Sequence, residues 1–209
     1  MTYVRDESKT LWAYLNNLCV CNCQVCRGSC NTHRGVWISG PPGVGKSTEL
    51  LGWGMHVATR DSGRKNLLWV HQTFQGQCAI LRVVDGNASS CTLLWEGNNF
   101  PIQRILGLCD GCSLLLFDAL RDPMKSLVGI AFLQFRTAIV VACTSYQSGD
   151  YNTEESTRLH HFNRRYIMYS WTWEECVGAN NNRIFGNVLN NEELADRFYY
   201  SGGCIRLMI

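Results

Sequence analysis

Nowhere in this chain of 209 residues do eighteen apolar side chains run together. No membrane-spanning helix is therefore expected. The opening Met1-Thr2-Tyr3-Val4-Arg5-Asp6-Glu7-Ser8-Lys9-Thr10 is polar and has no apolar core of the kind a secretory leader carries, so the reading is a protein that stays intracellular. Excess charge is missing too. A net charge of +2 with 17% charged residues announces neither a basic face nor an acidic tail, and electrostatics give no support to nucleic-acid binding. What is present is apolar material: 46% of residues are hydrophobic, enough for one α/β domain with a small appendage but not for two full domains.

The most informative stretch is Gly40-Pro41-Pro42-Gly43-Val44-Gly45-Lys46-Ser47-Thr48, which satisfies G-x-x-x-x-G-K-[ST], the Walker A pattern. A polyphosphate must be wrapped by backbone N–H groups, and glycines let the main chain bend that tightly without a Cβ in the way. In this reading Gly40, Gly43 and Gly45 supply the bend, and Lys46 reaches the β- and γ-phosphates. Ser47 puts its hydroxyl on Mg²⁺, Thr48 assists at the α-phosphate, and the helix that begins here turns its positive end to the anion. The surroundings agree: Val36-Trp37-Ile38-Ser39 reads as a short buried strand and Glu49 to Arg60 as a helix, the order this motif needs.

Further along, Leu67 to His71 reads as a second strand, and the apolar runs Cys78 to Val84 and Cys91 to Trp95, parted by Asp85 to Ser90, as an inserted β-hairpin. A helix is expected over Phe100 to Leu108. Ser113-Leu114-Leu115-Leu116-Phe117-Asp118 then has the form of a Walker B strand, delivering the Asp118 carboxylate beside Ser47 to hold the water shell of Mg²⁺. In many ATPases with an extra central strand a glutamate follows that aspartate and activates water. Here the next residue is Ala119, and Asp122 is either a substitute or simply a helix cap. Asp122 to Gln134 reads as a helix with proline at its first position, Arg136 to Cys143 as a fourth strand, and Arg164 to Ser170 as a fifth. Thr144 or Ser145, at the tip of the fourth strand, is either a sensor of the γ-phosphate or an ordinary strand end. Thr172-Trp173-Glu174-Glu175 has the spacing of a capping box, and another helix follows from Asn190 through Tyr200. Before the first strand, a short helix around Leu11 to Leu15 is expected.

Twelve cysteines are many, but a nucleotide-hydrolysing domain belongs in a reducing compartment, and most read as free thiols. Five of them, with His33, crowd into Cys19 to His33. Cys23, Cys26, Cys30 and His33 would close a zinc tetrahedron, though more tightly spaced than most zinc modules; the other reading is a loop without a ligand. Cys109-Asp110-Gly111-Cys112 is also a C-x-x-C, placed ahead of a strand rather than after one, which favours packing over redox chemistry. The seven tryptophans form no spaced set with basic residues and read as packing.

Several of these pieces together resemble the P-loop NTPase region of Crinkler-type effector proteins. They are Ile38 to Thr48, the helix with Gly52-Trp53, the strand Leu67 to His71, Cys143-Thr144-Ser145-Tyr146, Trp171 to Glu175, and Phe198-Tyr199-Tyr200-Ser201-Gly202-Gly203-Cys204-Ile205-Arg206. The resemblance runs from about residue 35 to the end. It implies an AAA+/STAND-like ATPase core, with Arg206 matching a sensor-2 arginine that contacts nucleotide from a helical lid. Fuller members carry a translocation header and a nuclease-like domain, neither of which is seen in this sequence; action as a secreted effector inside a host cell is implied by the resemblance alone.

The expectation is then an α/β P-loop NTPase, a mostly parallel five-stranded sheet flanked by helices with an inserted hairpin and a short C-terminal helical lid. Residues 1–34 form an N-terminal segment with its Cys-rich loop, 35–170 the core and 171–209 the lid. The expected function is Mg²⁺-dependent binding and hydrolysis of ATP, preferred over GTP because no N/T-K-x-D guanine-reading motif occurs. Lys46, Asp118, Thr144 and Arg206 carry catalysis in that reading. The rival is a nucleotide switch with little turnover that acts on a protein partner or through self-association.

Overall fold

The computed structural model describes residues 5–19, 35–60, 66–73, 76–96, 99–118, 122–145, 164–184, 188–201 and 204. The cysteine-rich span from 20 to 34, Ala119, Tyr146 and Arg206 lie outside the described residues, so the zinc and sensor-2 readings are carried by the sequence alone.

The chain opens with helix α1 (Asp6–Cys19), followed by β1 (Gly35–Gly40), α2 (Lys46–Arg60) and β2 (Leu67–Gln72). Next come β3 (Gln77–Val84), β4 (Asn87–Leu94), α3 (Ile102–Cys109), β5 (Leu114–Asp118) and α4 (Asp122–Gln134). Strands β6 (Ile139–Ser145) and β7 (Arg164–Ile167) complete the sheet, and two helices close the described chain, α5 (Trp173–Asn181) and α6 (Asn191–Ser201).

The strands form one seven-stranded sheet in the order β4-β3-β2-β5-β6-β1-β7. The five strands expected from sequence, β2, β5, β6, β1 and β7, pair in parallel throughout. The hairpin does not stand apart as an insertion. β3 pairs antiparallel with β2, and β4 with β3, so one mixed seven-stranded sheet stands where a mostly parallel five-stranded sheet with a separate hairpin was expected. The reason is local. Asp85 and Gly86 both have positive φ, 51° and 80°, which is the two-residue turn that folds a strand straight back on its neighbour. β4 consequently starts at Asn87, inside the Asp85 to Ser90 run that read as a loop.

Alternation along the strands sorts their side chains into two layers. On one face Leu68, Val70, Leu115, Phe117, Val140 and Ala142 meet α3 and α4 through Ile105, Leu106, Met124, Leu127, Val128 and Ala131. On the other Val36, Ile38, Leu67, Leu114, Leu116 and Val141 meet α1 and α2. In α1 Leu11, Leu15 and Leu18 recur at helical spacing, and in α2 Leu50, Trp53 and Val57 do the same. α2 lies so close to the sheet that a Cβ on Gly54 would collide with the Leu116 side chain. The three-layer result covers β5 completely, all five of its residues being buried. α5 and α6 pack on each other around Cys176, Ala179 and Leu194. Among the described residues, no helix is long and apolar enough to cross a membrane.

Candidate functional site

Where β1 ends, the chain turns through residues 41–45 and enters α2 at Lys46. Two glycines make the turn: Gly43 and Gly45 take φ values of 75° and 99°, a region that side chains with a Cβ rarely enter. Gly40 is required for a different reason. A Cβ there would collide with the backbone oxygen of Met168, because the chain leaving β7 runs against β1, with Met168 N donating to Ser39 O at 2.8 Å. The first α2 hydrogen bond, Glu49 N to Gly45 O, closes at 2.9 Å. Lys46 is 5% exposed, and its Nζ donates to the carbonyls of Gly40 (2.9 Å) and Pro41 (2.5 Å). The ammonium is thus held over the mouth of the glycine-rich loop.

Asp118 ends β5, and strand alternation turns it to the α2 face with Leu114 and Leu116. β6 stands between β5 and β1, and the contact is made over the face of the sheet that α2 covers: Ser47 Oγ donates to Asp118 Oδ1 at 2.8 Å. Two further groups hold the same carboxylate. Cys143 of β6 donates its thiol to Oδ1 at 2.6 Å, and His71 of β2, in register with Asp118, places Nδ1 2.7 Å from Oδ2. The His71 ring is fixed on its flank by Trp69, with ring centroids 5.4 Å apart and planes within 10°. Asp118 is only 1% exposed, and burial alone would raise its carboxyl. The hydrogen bonds from His71 and Cys143, the charge of His71 and the bond from Ser47 outweigh burial and hold it below the usual carboxylate range.

Sequence reasoning named Ser47 and Asp118, and the structure brings them together. It missed His71 and Cys143. Both stand at the C-terminal ends of strands beside Asp118, and both belong to the same alternation face. Thr144, next to Cys143, is paired with Ser39 across the β1–β6 register; alternation gives it the opposite face from Cys143. Cys109 and Cys112 are free and buried. Burial, together with neighbouring Cys112, pushes the Cys109 thiol up to about 12, and burial raises Cys112 as well. They are packing residues without thiolate character.

A hydroxyl and a carboxylate on adjacent elements are hard oxygen donors. That set suits Mg²⁺, which takes one or two protein ligands and fills the rest of its octahedron with water and phosphate oxygens. Among the described residues, no group of three or more His, Cys, Asp or Glu side chains is arranged to hold a metal ion by itself.

No protein-family model matches the sequence, and no curated protein matches it. Among solved structures, the complex of wild-type Clp1p with Pcf11p is similar at a TM-score of 0.40 and 12% identity, the match covering 88% of this chain and 48% of that one. The chain thus spans about half the length of that neighbour. The class defined by the coordinates is a three-layer α/β protein with a glycine-rich loop between its first described strand and the following helix.

Proposed function

We propose that the chain binds a nucleoside triphosphate, ATP in preference to GTP, together with Mg²⁺, and hydrolyses the bond between the β- and γ-phosphates. The observation that carries this reading is the 2.8 Å bond between Ser47 and Asp118, 71 positions apart in the chain, at the mouth of a loop whose sequence is that of Walker A. The N–H groups of the loop from Gly43 to Ser47, past the two prolines that have none to give, and the N-terminus of α2 would receive the phosphates. Lys46, held by loop carbonyls, would exchange them for the β- and γ-phosphate oxygens. Ser47 and Asp118 would hold the metal and its water shell, which when bound supplies charge neutralisation to the leaving phosphates. Thr144 or Ser145 at the tip of β6, where alternation gives position 145 the same face as Cys143, and Arg206 of the C-terminal segment are the proposed γ-phosphate sensors. β6 lies between β1 and β5, and this extra central strand supports an AAA+/STAND-like assignment; the Crinkler-like module remains the family proposed from the sequence motifs.

Ala119, in the position that a catalytic glutamate occupies in such ATPases, favours a second reading, a switch that holds nucleotide with little turnover. Phosphate release by the purified protein, compared with Lys46→Ala and Asp118→Ala, separates the two. Turnover well above both variants supports the hydrolase. Tight ATP binding with turnover equal to theirs leaves the switch, and no binding at millimolar ATP removes both.

A further inference from the structure

Arg5 stands one residue ahead of α1 and is only 4% exposed. Its guanidinium makes four hydrogen bonds, to Val44, Tyr169 and Glu175. Nε and Nη2 donate to the two oxygens of Glu175 at 3.1 and 3.0 Å. Nη1 donates to the Val44 carbonyl at 3.0 Å, and Nη2 also reaches the Tyr169 carbonyl at 3.4 Å. The face of the group lies over the Trp171 ring, 4.7 Å from its centroid. Val44 sits inside the glycine-rich loop, between Gly43 and Gly45. Glu175 is the residue that closes the capping box of α5, its Oε2 accepting from Thr172 N.

The contact with Val44 has a specific consequence. In a trans peptide the carbonyl of one residue and the N–H of the next are coplanar and point in opposite directions. Holding the Val44 oxygen therefore aims the Gly45 N–H away from Arg5, and Gly45, with φ of 99°, has little intrinsic preference to hold that direction by itself. A planar fork of five donors can hold a carboxylate and two carbonyls at once, which an ammonium cannot.

We propose that Arg5 is a positioning residue for the nucleotide: it fixes the Val44–Gly45 peptide in its anion-receiving orientation and makes that orientation depend on α5 being docked through Glu175. The inference rests on the nucleotide reading above and adds to it a link between the phosphate cradle and the C-terminal helices. Linkage makes the effect reciprocal: whatever displaces α5 weakens nucleotide binding, and bound nucleotide holds α5 in place.

The test uses the full chain with Arg5→Lys, Arg5→Met, Glu175→Gln and, as a control, Asn16→Ala, which removes the α1–α2 bond between Asn16 and Trp53 at a distance from the loop. ATP affinity is measured by titration, and proteolysis of the segment from 171 to 201 is followed with and without ATP. Arg5→Met and Arg5→Lys are expected to weaken ATP binding roughly 5- to 150-fold, the usual range of coupling between sites. Glu175→Gln should weaken it less, with the Arg5 and Glu175 effects non-additive in the double variant. ATP should protect α5 in the wild type and in Asn16→Ala, but not in the Arg5 variants. If Arg5→Met does not fold, Arg5→Lys and Glu175→Gln carry the same comparison. Unchanged ATP affinity in folded Arg5 variants, whatever their melting temperature, reduces Arg5 to a structural tie and overturns the inference. A wild type that does not bind ATP overturns the nucleotide reading itself, and this inference with it.

Discussion

Ser47 and Asp118 share a 2.8 Å hydrogen bond although a whole strand, β6, stands between the strands they adjoin. The carboxylate that accepts it also accepts from Cys143 and pairs with His71, so its orientation is fixed by three elements at once. Asp118→Asn keeps the shape and removes one acceptor, whereas Asp118→Ala removes both. Each should cut the Mg²⁺-supported part of ATP affinity by roughly 10- to 100-fold, the range seen when groups around a bound metal are removed. Metal-free affinity should change far less. Titrations of a fluorescent ATP analogue with and without Mg²⁺ check this; an equal loss in both conditions assigns Asp118 a role other than metal support.

Gly40 and Gly54 both lack room for a Cβ, but they differ in what stands opposite. At Gly40 the obstacle is the Met168 backbone oxygen, and at Gly54 it is the tip of Leu116. A backbone carbonyl in a paired chain does not yield, while a leucine methyl can rotate. Alanine also gains about 1 kcal/mol over glycine inside a helix, which offsets part of the clash at Gly54. Gly40→Ala should therefore lower unfolding free energy by about 1–3 kcal/mol, and Gly54→Ala by distinctly less. Urea unfolding of the two variants decides it, and the reverse order would contradict the packing of β7 on β1.

How much of this was legible in the sequence follows from how local each feature is. The loop was legible because its glycines, lysine and serine fall within one short stretch, Gly40 to Ser47, and each type is demanded by phosphate chemistry. Asp118 was legible because four apolar residues and a terminal acid announce a buried strand and its tip. His71 and Cys143 were not, since their roles come from strand register, and each looked like the last residue of an apolar run. The hairpin was half legible. Asp85-Gly86 is a strong turn signal, but the first six β4 positions are all exposed and carry no alternation to read. Arg5 was opaque: in a polar N-terminal stretch it reads as a surface charge, and what buries it is Glu175, 170 positions away.

The buried thiols make stability sensitive to alkali. Burial pushes Cys109 up to about 12 and Cys78 and Cys176 up to about 11, from an ordinary value of 9.0. A raised thiol pKa means that the folded state keeps its proton where the unfolded chain has lost it. The contribution is complete below pH 9.0 and is lost as pH rises through about 11 to about 12. Urea midpoints should hold steady up to pH 9.0 and then fall, each thiol adding up to about 1.4 kcal/mol per pH unit. Cys109→Ala should flatten that alkaline limb relative to its own stability at neutral pH, and an unchanged slope would mean that Cys109 is open to solvent. Thiol alkylation mapped by peptide should in parallel find exposed Cys91 modified well before Cys78 and Cys109.

Thr172 and Glu175 satisfy each other's backbone N–H groups at the start of α5, at 3.2 and 3.0 Å, but only Glu175 has a second task. Thr172→Ala removes one cap and should cost about 1 kcal/mol. Glu175→Ala removes the reciprocal cap and also strips the carboxylate from Arg5, whose side chain is 4% exposed and whose partner is 17% exposed. A buried cation left without its ion pair costs about 3–5 kcal/mol, less whatever water gains by entering on the Glu175 side. Glu175→Ala should accordingly be the more damaging by a clear margin in urea unfolding. Replacing Arg5 and Glu175 together by methionine and leucine should recover part of the loss, because the cost lies in the uncompensated charge rather than in the absence of the pair. Equal costs for Thr172→Ala and Glu175→Ala would show that Arg5 finds water when its partner is gone, and that its guanidinium is not sealed against the loop as the geometry requires.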